Sequence, residues 1–219
     1  MKLFFAILFL TITHSTFAQF GVSGAWQSFR ADDWHQFENS QNGSTTSAAT
    51  GYAASVNYWF RLKEKRVEFL PELSYGRHEL AVDAGKFKHQ TLSFFFNVNI
   101  YPFDFGSDCN CPTWSKTGNF FTKGFYLQLS PGVSGMKNNF ENSLAWTDKT
   151  IAWAIGGGTG VDIGLSDFLT VTPFFKYHYY PNITWQGLPD VKGEQVDVES
   201  DVKILSGGIR LGLRSRKSR

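Results

Sequence analysis

The chain has 219 residues, with 21 Lys and Arg against 19 Asp and Glu, so its formal net charge is only +2. This balance excludes the strongly basic surface typical of nucleic-acid-binding proteins, and two cysteines are too few for a disulfide scaffold. A mean hydropathy of −0.22, with no apolar run of about 18 residues beyond the N-terminus, excludes a helical membrane protein. The 21 Gly, 22 Phe, 8 Tyr and 7 Trp instead favour an all-β chain.

The N-terminus has the pattern of a secretory signal. Lys2 precedes an apolar run at residues 3–12, and small residues follow at Thr16 and Ala18. The run is too short to span a membrane, so we expect residues 1–18 to be cleaved and the mature chain to begin at Gln19. Without a cysteine at the cut, a lipid anchor is not expected. The alternative is a buried N-terminal strand or helix.

Apolar and polar residues alternate with a period of two through the mature chain, as in half-buried strands. Near the C-terminus, for example, Ile209 and Leu211 fall on one face, and Gly208 and Arg210 fall on the other. The pattern predicts eight strands, at residues 20–29, 51–62, 67–76, 92–100, 125–134, 151–165, 168–180 and 202–214.

The polar faces of these strands decide between a soluble sandwich and a membrane barrel. They consist largely of Gly, Ser, Thr, Asn and Ala with isolated charges, whereas the apolar faces carry large aromatic residues and Pro. Small polar residues suit the interior of a narrow tube, and an aromatic-rich exterior suits lipid. The sequence therefore predicts one closed antiparallel up-and-down transmembrane β-barrel at residues 19–214. A soluble barrel with the opposite orientation, binding an apolar ligand inside, is the alternative.

The connections between the predicted strands differ in length. Residues 63–65 and 166–167 form tight turns, which we expect on the periplasmic side together with both termini. The connections at 31–49, 137–148 and 182–201 are long and polar, as expected of external loops, although 82–86 is short. The exception is 103–123, a long periplasmic turn that contains Cys109 and Cys111. These two cysteines are candidates for a periplasmic disulfide; a metal half-site or two free thiols are the alternatives.

This turn contains Cys109-Asn110-Cys111-Pro112 and Gly118-Asn119-Phe120-Phe121. With the signal and the eight strands, it makes the chain resemble the small outer-membrane β-barrels of Bacteroidota, whose fold is similar to the OmpA-type transmembrane domain. The last strand resembles the assembly signal of such proteins, with Ser206, Gly208, Leu211 and Leu213 in its positions. The departure from that pattern is the basic end of the chain, where residues 215–219 are expected to form a periplasmic tail. The resemblance implies recognition by the barrel-assembly machinery, and no peptidoglycan-binding domain is expected after the barrel.

The predicted lumen contains several charged side chains. An eight-stranded barrel is just wide enough to be filled by side chains, so opposite charges inside it should pair rather than conduct ions. The candidate ion-pair network consists of Arg61, Glu68, Glu72, Asp162, Lys176 and Arg210. The glycine run at 156–160 lacks the register of a phosphate-binding loop and is explained by crowding in the lumen.

No catalytic set is evident. None of the mature histidines, His35, His78, His89 and His178, has a serine two residues later, as lipid A deacylases of this size do. We expect no enzyme activity, cofactor or metal, and His178 is expected to be a lumen residue. In the loops, Trp34, Phe37 and Trp185 are candidates for contacts with a partner; alternatively they fold over the barrel mouth or lie in the lipid interface.

The function expected from these features is that of a non-enzymatic outer-membrane protein, either structural or an accessory subunit of a secretion or barrel-assembly complex. The expected partners are outer-membrane lipid, the assembly machinery during insertion, and other outer-membrane or periplasmic proteins, but not nucleic acid. A lipid-modifying enzyme and a small-solute channel are the alternatives.

Overall fold

The computed structural model describes residues 19–34, 36, 48–62, 66–82, 85–104, 124–141, 146–166, 168–189 and 195–213. The predicted signal at 1–18, residues 105–123 of the cysteine-containing turn and the basic tail at 215–219 lie outside the described residues. Within the described ranges, no helix is long and apolar enough to cross a membrane.

The described residues form eight long strands, numbered here in chain order. They are β1 (Phe20–Ala31), β2 (Ala49–Tyr58 and Phe60–Arg61), β3 (Val67–Val82), β4 (Gly85–Ile100), β5 (Phe125–Leu129 and Gly132–Glu141), β6 (Trp146–Val161 and Ile163–Gly164), β7 (Leu169–Pro189) and β8 (Gln195–Leu213). A single 3-10 turn among these residues, Pro102–Asp104, follows β4. All eight predicted strands are therefore present.

The strands close into a barrel. Each pairs antiparallel with the next, and β1 pairs with β8 from Phe20 opposite Leu213 to Ala31 opposite Val202. A path across the paired residues that leaves β1 at Phe20 returns to β1 at Arg30, so the ring closes with a stagger of ten residues. Closure with such a stagger requires strands tilted by roughly 35–45° and leaves an interior that side chains can fill. The predicted fold class is confirmed.

Three strands are interrupted without opening the ring. The interruptions are at Trp59 in β2, at Ser130 and Pro131 in β5, and at Asp162 in β6. Hydrogen bonds to neighbouring strands continue through them: the Trp59 N–H donates to the Gln19 carbonyl at 2.9 Å, and the Pro131 carbonyl accepts from Phe96 at 2.9 Å. The backbone thus stays paired, as a strand within lipid requires.

Burial alternates along the strands in the predicted direction, with apolar side chains outward and small or polar side chains inward. On β2, Tyr52 and Val56 are exposed, whereas Ala53, Ser55 and Asn57 are buried. The alternative prediction, a soluble barrel whose strands face their apolar side chains inward, is therefore wrong.

The strands extend further at one end than the sequence predicts. We call this the loop end, and the end with Phe20, Leu213 and the tight turns the turn end. The expected loop at 182–201 is instead a hairpin, because β7 continues to Pro189 and β8 begins at Gln195. Its turn-forming residues are absorbed as irregularities within β7, where Asn182 and Gly187 have φ values of 50° and 71° and the register to β8 shifts twice.

Candidate functional site

The lumen near the turn end contains a buried ion pair at the centre of a polar relay. Lys176 Nζ lies 2.7 Å from Glu72 Oε2, and neither side chain is more than a tenth exposed. The same carboxylate oxygen accepts from Asn97 Nδ2 at 2.6 Å. The Asn97 amide oxygen accepts from the Ser130 hydroxyl. A charge in this tube is therefore paired and hydrogen-bonded, the condition under which burial of an ion is tolerated.

A second ion pair lies one layer closer to the turn end. Arg210 donates to Asp162 Oδ1 at 3.0 Å, and the Thr172 hydroxyl donates to the same oxygen. The Tyr101 hydroxyl is 2.6 Å from Asp162 Oδ2 and 2.9 Å from Glu68 Oε2, so it joins the two carboxylates.

Five of the six predicted network residues thus have described side chains, and they fall into two groups rather than one. Lys176 pairs with Glu72, whereas Arg210, Asp162 and Glu68 form the group around a tyrosine. The side chain of Arg61 lies outside the described residues. Sequence reasoning missed Tyr101, although it continues the inward alternation of Asn97 and Asn99 by one residue beyond β4.

The glycines of β6 form the wall against which these side chains pack. A Cβ at Gly156 would overlap the His178 ring, and one at Gly160 would overlap the Tyr126 hydroxyl. At Gly158, a Cβ would lie 2.5 Å from the Phe175 carbonyl oxygen. Lack of space therefore accounts for the three inward-facing glycines of this run.

The lumen at the loop end is filled by aromatic rings instead of charges. The Phe29 ring stacks on His89 with centroids 4.5 Å apart, and Trp34 packs edge-on against Trp185 at 5.4 Å. We call this packed group the cap; its buried apolar members are Phe29, Ala31, Trp34, Ala49, Leu80, Phe87, Phe95, Met136, Ala152, Ala154, Tyr180, Ile183, Trp185, Val202 and Ile204.

The cap also buries two histidines, which face each other across β3 and β4. His78 Nε2 lies 2.8 Å from the Gln27 amide oxygen, and Gln27 Nε2 in turn donates to Ser206. His89 Nδ1 lies 2.9 Å from the Asn138 amide oxygen. Burial lowers the pKa of His78 to about 4, so its ring is neutral at pH 7.

Two of the predicted loop contacts belong to the cap. Trp34 is 0% exposed and Trp185 is 1% exposed, and the Trp34 indole N–H donates to the Val198 carbonyl at 2.9 Å. The prediction that these two side chains are exposed contacts is therefore wrong: they fold over the barrel mouth because a hairpin carries Trp185 inward. Phe37 lies outside the described residues.

The barrel exterior carries a continuous apolar band bordered by aromatic residues. Near the turn end the border includes Phe20, Tyr58, Phe60 and Phe69, whose rings contact one another in sequence. The opposite border carries Trp26, Tyr52, Tyr75 and Trp153, all exposed. Beyond it, charged side chains begin, for example Arg77 paired with Glu79 at 2.6 Å and Lys203 paired with Asp32 at 2.9 Å. This girdled band is the surface that a bilayer requires.

The remaining predicted sites lie on β8 and in the cysteine-containing turn. On β8, Leu211 and Leu213 face outward, and Ser206 is buried in the lumen beside Gly208. Cys109 and Cys111 lie outside the described residues.

Among the described residues, one lumen cavity has a volume of about 30 Å³ and is lined by Ser55, Glu72, Lys176 and His178 among others. The His178 ring stacks on Phe95 at 4.1 Å. Over the part of the chain that the structure describes, no three His, Cys, Asp or Glu side chains are grouped as metal ligands would be.

Comparison with solved structures identifies the architecture. A major outer membrane protein from Thermus thermophilus superimposes with a TM-score of 0.50 at 12% identity, covering 90% of this chain and 99% of that chain. Neisserial surface protein A gives a TM-score of 0.48 at 12% identity, with coverage of 88% and 96%. Ail, the attachment invasion locus protein of Yersinia pestis, gives 0.44 at 12% identity, with coverage of 89% and 99%.

No protein-family model and no curated protein sequence matches the chain. The likeness to solved structures, at these identities, concerns the fold alone. The closed ring, the polar lumen and the apolar exterior bordered by aromatic residues agree with this likeness. The chain has the fold of an outer-membrane β-barrel.

Proposed function

We propose that the protein is a non-enzymatic, non-conducting barrel of the outer membrane that serves as a structural or accessory subunit of a larger envelope assembly. The observation that carries this proposal is that the lumen is filled in two successive layers. The ion pairs block it at the level of the apolar band, and the cap blocks it beyond the band. A solute would have to displace both layers, which argues against the channel alternative.

The length of the strands supports a role in contacts with other proteins. A strand of about 9–11 residues is enough to cross the membrane, whereas β7 has 21 residues and β8 has 19. The excess lies at the loop end, where the cap packs it from inside. The barrel thus projects a rigid, charged surface beyond the lipid, which is what a subunit of a secretion or barrel-assembly complex needs.

The lengths of the connections support a proposed orientation. Outer-membrane barrels have short periplasmic turns and longer external connections. We therefore assign the turn end, with Phe20 and Leu213, to the periplasm and the cap to the cell exterior. The same assignment brings the cysteine-containing turn to the periplasmic side, where it is available to a periplasmic partner.

Two measurements test the proposal. Purified protein in a planar bilayer is expected to give no conductance steps, because neither plugging layer opens. Native mass measurement after gentle detergent extraction is expected to find the protein in a complex with other envelope proteins. Stable conductance steps would contradict the closed lumen, and a strictly monomeric species at native expression level would contradict the subunit role.

The lipid-modifying alternative is tested at His178. This ring is stacked on Phe95 inside the barrel, so we expect His178→Asn to leave the mass of lipid A unchanged. A change in lipid A mass that depends on His178 would contradict the non-enzymatic assignment.

A further inference from the structure

Strands β6 and β7 separate at the loop end. Towards the loop end, their pairing stops at Ile155 opposite Tyr179 among the described residues. Beyond this point β6 continues for nine residues, from Trp146 to Ala154, still paired with β5 on its other side. One edge of this β6 segment therefore has no strand beside it in the described part of the chain. We call it the open edge.

The β7 and β8 edges at the loop end are protected. The β7 segment that faces the opening contains Pro181, Pro189 and two register shifts, which disrupt a regular row of hydrogen-bonding groups. Beside β8, beyond its pairing with β1, the Trp34 indole covers the Val198 carbonyl. The open edge has neither device: over 146–154 it has no Pro, no Gly and no register shift.

At alternate residues of β6, the backbone N–H and carbonyl groups point away from β5 and towards the open edge. The Gly156 carbonyl accepts from Ser130 of β5, and the Asp162 N–H donates to Gly124 beside β5, so even-numbered residues of β6 face β5. By the alternation of an antiparallel strand, the N–H and carbonyl groups of Lys149, Ile151 and Trp153 face the open edge.

The side chains of the same residues are suited to a partner protein. Ile151 is 81% exposed and Trp153 is 63% exposed, and Ile151 lies beyond Trp153, where other strands carry charges. Lys149 lies directly opposite Lys137 of β5, a like-charge pair that is unfavourable in a sheet by itself. Neither lysine has an acidic partner among the described residues, and Asp148 points to the other face of β6.

We propose that the open edge binds an extended, acidic segment of a partner protein as an added strand. Main-chain hydrogen bonds to Lys149, Ile151 and Trp153 supply the pairing. Acidic side chains of the added strand neutralise Lys149, and apolar side chains cover Ile151 and Trp153. This inference rests on the proposed subunit role and names the surface at which that role is exercised.

The experiment uses the barrel in lipid nanodiscs and a synthetic peptide, Val-Thr-Val-Thr-Glu-Thr-Glu, whose Val and Glu fall on one face. Amide hydrogen exchange is followed residue by residue. Without peptide, the amides of Lys149, Ile151 and Trp153 are expected to exchange at least tenfold faster than those of Thr150 and Ala152, which pair with β5. With peptide, the three edge amides are expected to slow at least tenfold.

Three comparisons isolate the edge. Ile151→Pro removes an N–H that faces the opening while leaving the pairing with β5 intact, so it is expected to abolish peptide protection in a folded barrel. Ile151→Thr, which keeps that N–H, is expected to retain most of it. A peptide with Lys in place of Glu is expected to bind at least tenfold more weakly.

Equal peptide binding by Ile151→Pro, or an unchanged exchange pattern at saturating peptide, would overturn the proposal. Edge amides protected before any peptide is added would also overturn it: concentration-independent protection would assign the edge to this chain itself, and concentration-dependent protection to a second copy. None of these results bears on conductance or native mass, so the proposed function stands or falls separately.

Discussion

Glu72 and Lys176 meet inside the barrel, carboxylate to ammonium at 2.7 Å, from strands that are not neighbours in the ring. Removing one partner leaves a buried charge without its counter-ion, which costs about 3–5 kcal/mol. Lys176→Met is therefore expected to destabilise the barrel by about this amount, measured by urea unfolding in lipid vesicles. Lys176→Met combined with Glu72→Leu is expected to lose less than Lys176→Met alone. A double variant at least as unstable as the single variant would contradict the ion-pair argument.

The glycine wall predicts a sharp contrast between two glycine positions. At Gly160 a methyl group would overlap the Tyr126 hydroxyl, whereas at Gly135 the nearest atom would lie 3.9 Å away. Gly160→Ala is expected to destabilise the barrel by about 1–3 kcal/mol, as overpacking does. Gly135→Ala should be close to neutral in the same unfolding measurement. Equal effects at the two positions would mean that crowding does not explain the run.

The cap is expected to loosen in acid. The pKa of His78 is about 4 in the folded protein, against an ordinary value of 6.5. At pH values between the two, the ring is protonated in the unfolded chain and neutral in the folded protein. The contribution of the neutral ring is complete above pH 6.5, declines as the pH falls to 4, and does not change further below that. The shift corresponds to about 3 kcal/mol. The free energy of unfolding in urea should therefore fall between pH 7.5 and pH 4, and this fall should be smaller by about this amount in His78→Gln than in the unchanged protein. An identical fall in the two proteins would contradict the buried neutral state of His78.

Trp34 is expected to hold the hairpin of residues 181–201 over the barrel mouth. Trp34→Ala removes a fully buried ring that packs on Trp185, a change that typically costs about 3–5 kcal/mol. Trp34→Phe keeps a ring but loses the indole hydrogen bond to Val198, worth about 1 kcal/mol. Limited proteolysis should cut the hairpin fastest in Trp34→Ala and at an intermediate rate in Trp34→Phe. Equal rates in all three proteins would show that the hairpin is held by other contacts.

Lipid contact is testable with neighbouring residues of opposite orientation. Phe94 and Phe175 face outward, and Phe95 is buried in the lumen. In a barrel without its native tryptophans, a tryptophan placed at Phe94 or Phe175 should be quenched strongly by brominated acyl chains. The matched Phe95→Trp variant should be quenched little. The reverse order would refute the membrane assignment.

The fold was accessible from sequence because one rule governs every strand. In lipid the exterior must be apolar and the lumen must fit small or paired side chains, so alternation predicts both strand and orientation. By this alternation Trp59, Phe95 and Tyr180 fall on inward faces, and all three are buried. The same alternation located Glu72, Lys176, Asp162 and Arg210 in the lumen, but it carries no information about which charge meets which, since partners come from strands far apart in sequence.

The cap was predicted only as an alternative position for Trp34 and Trp185, for a related reason. Pro181, Asn182 and Gly187 are turn-forming residues, and in sequence they indicate a loop. In the structure they are bulges within β7, stabilised by the packing of Ile183 and Trp185 in the barrel mouth. Local turn preference was therefore overridden by burial that no short window of sequence reveals. The open edge was missed likewise, because it depends on where two strands diverge.

The seam between β1 and β8 has a consequence for biogenesis. It joins the first strand of the chain to the last over the full length of β1, so neither strand is fully paired until both are in place. In a bilayer, unpaired backbone groups find no water to replace the missing neighbour. Strand β8 must therefore be delivered before it can pair with β1 and close the barrel. Until then, the unpaired backbone groups of β1 and β8 need hydrogen-bond partners from another protein or from water.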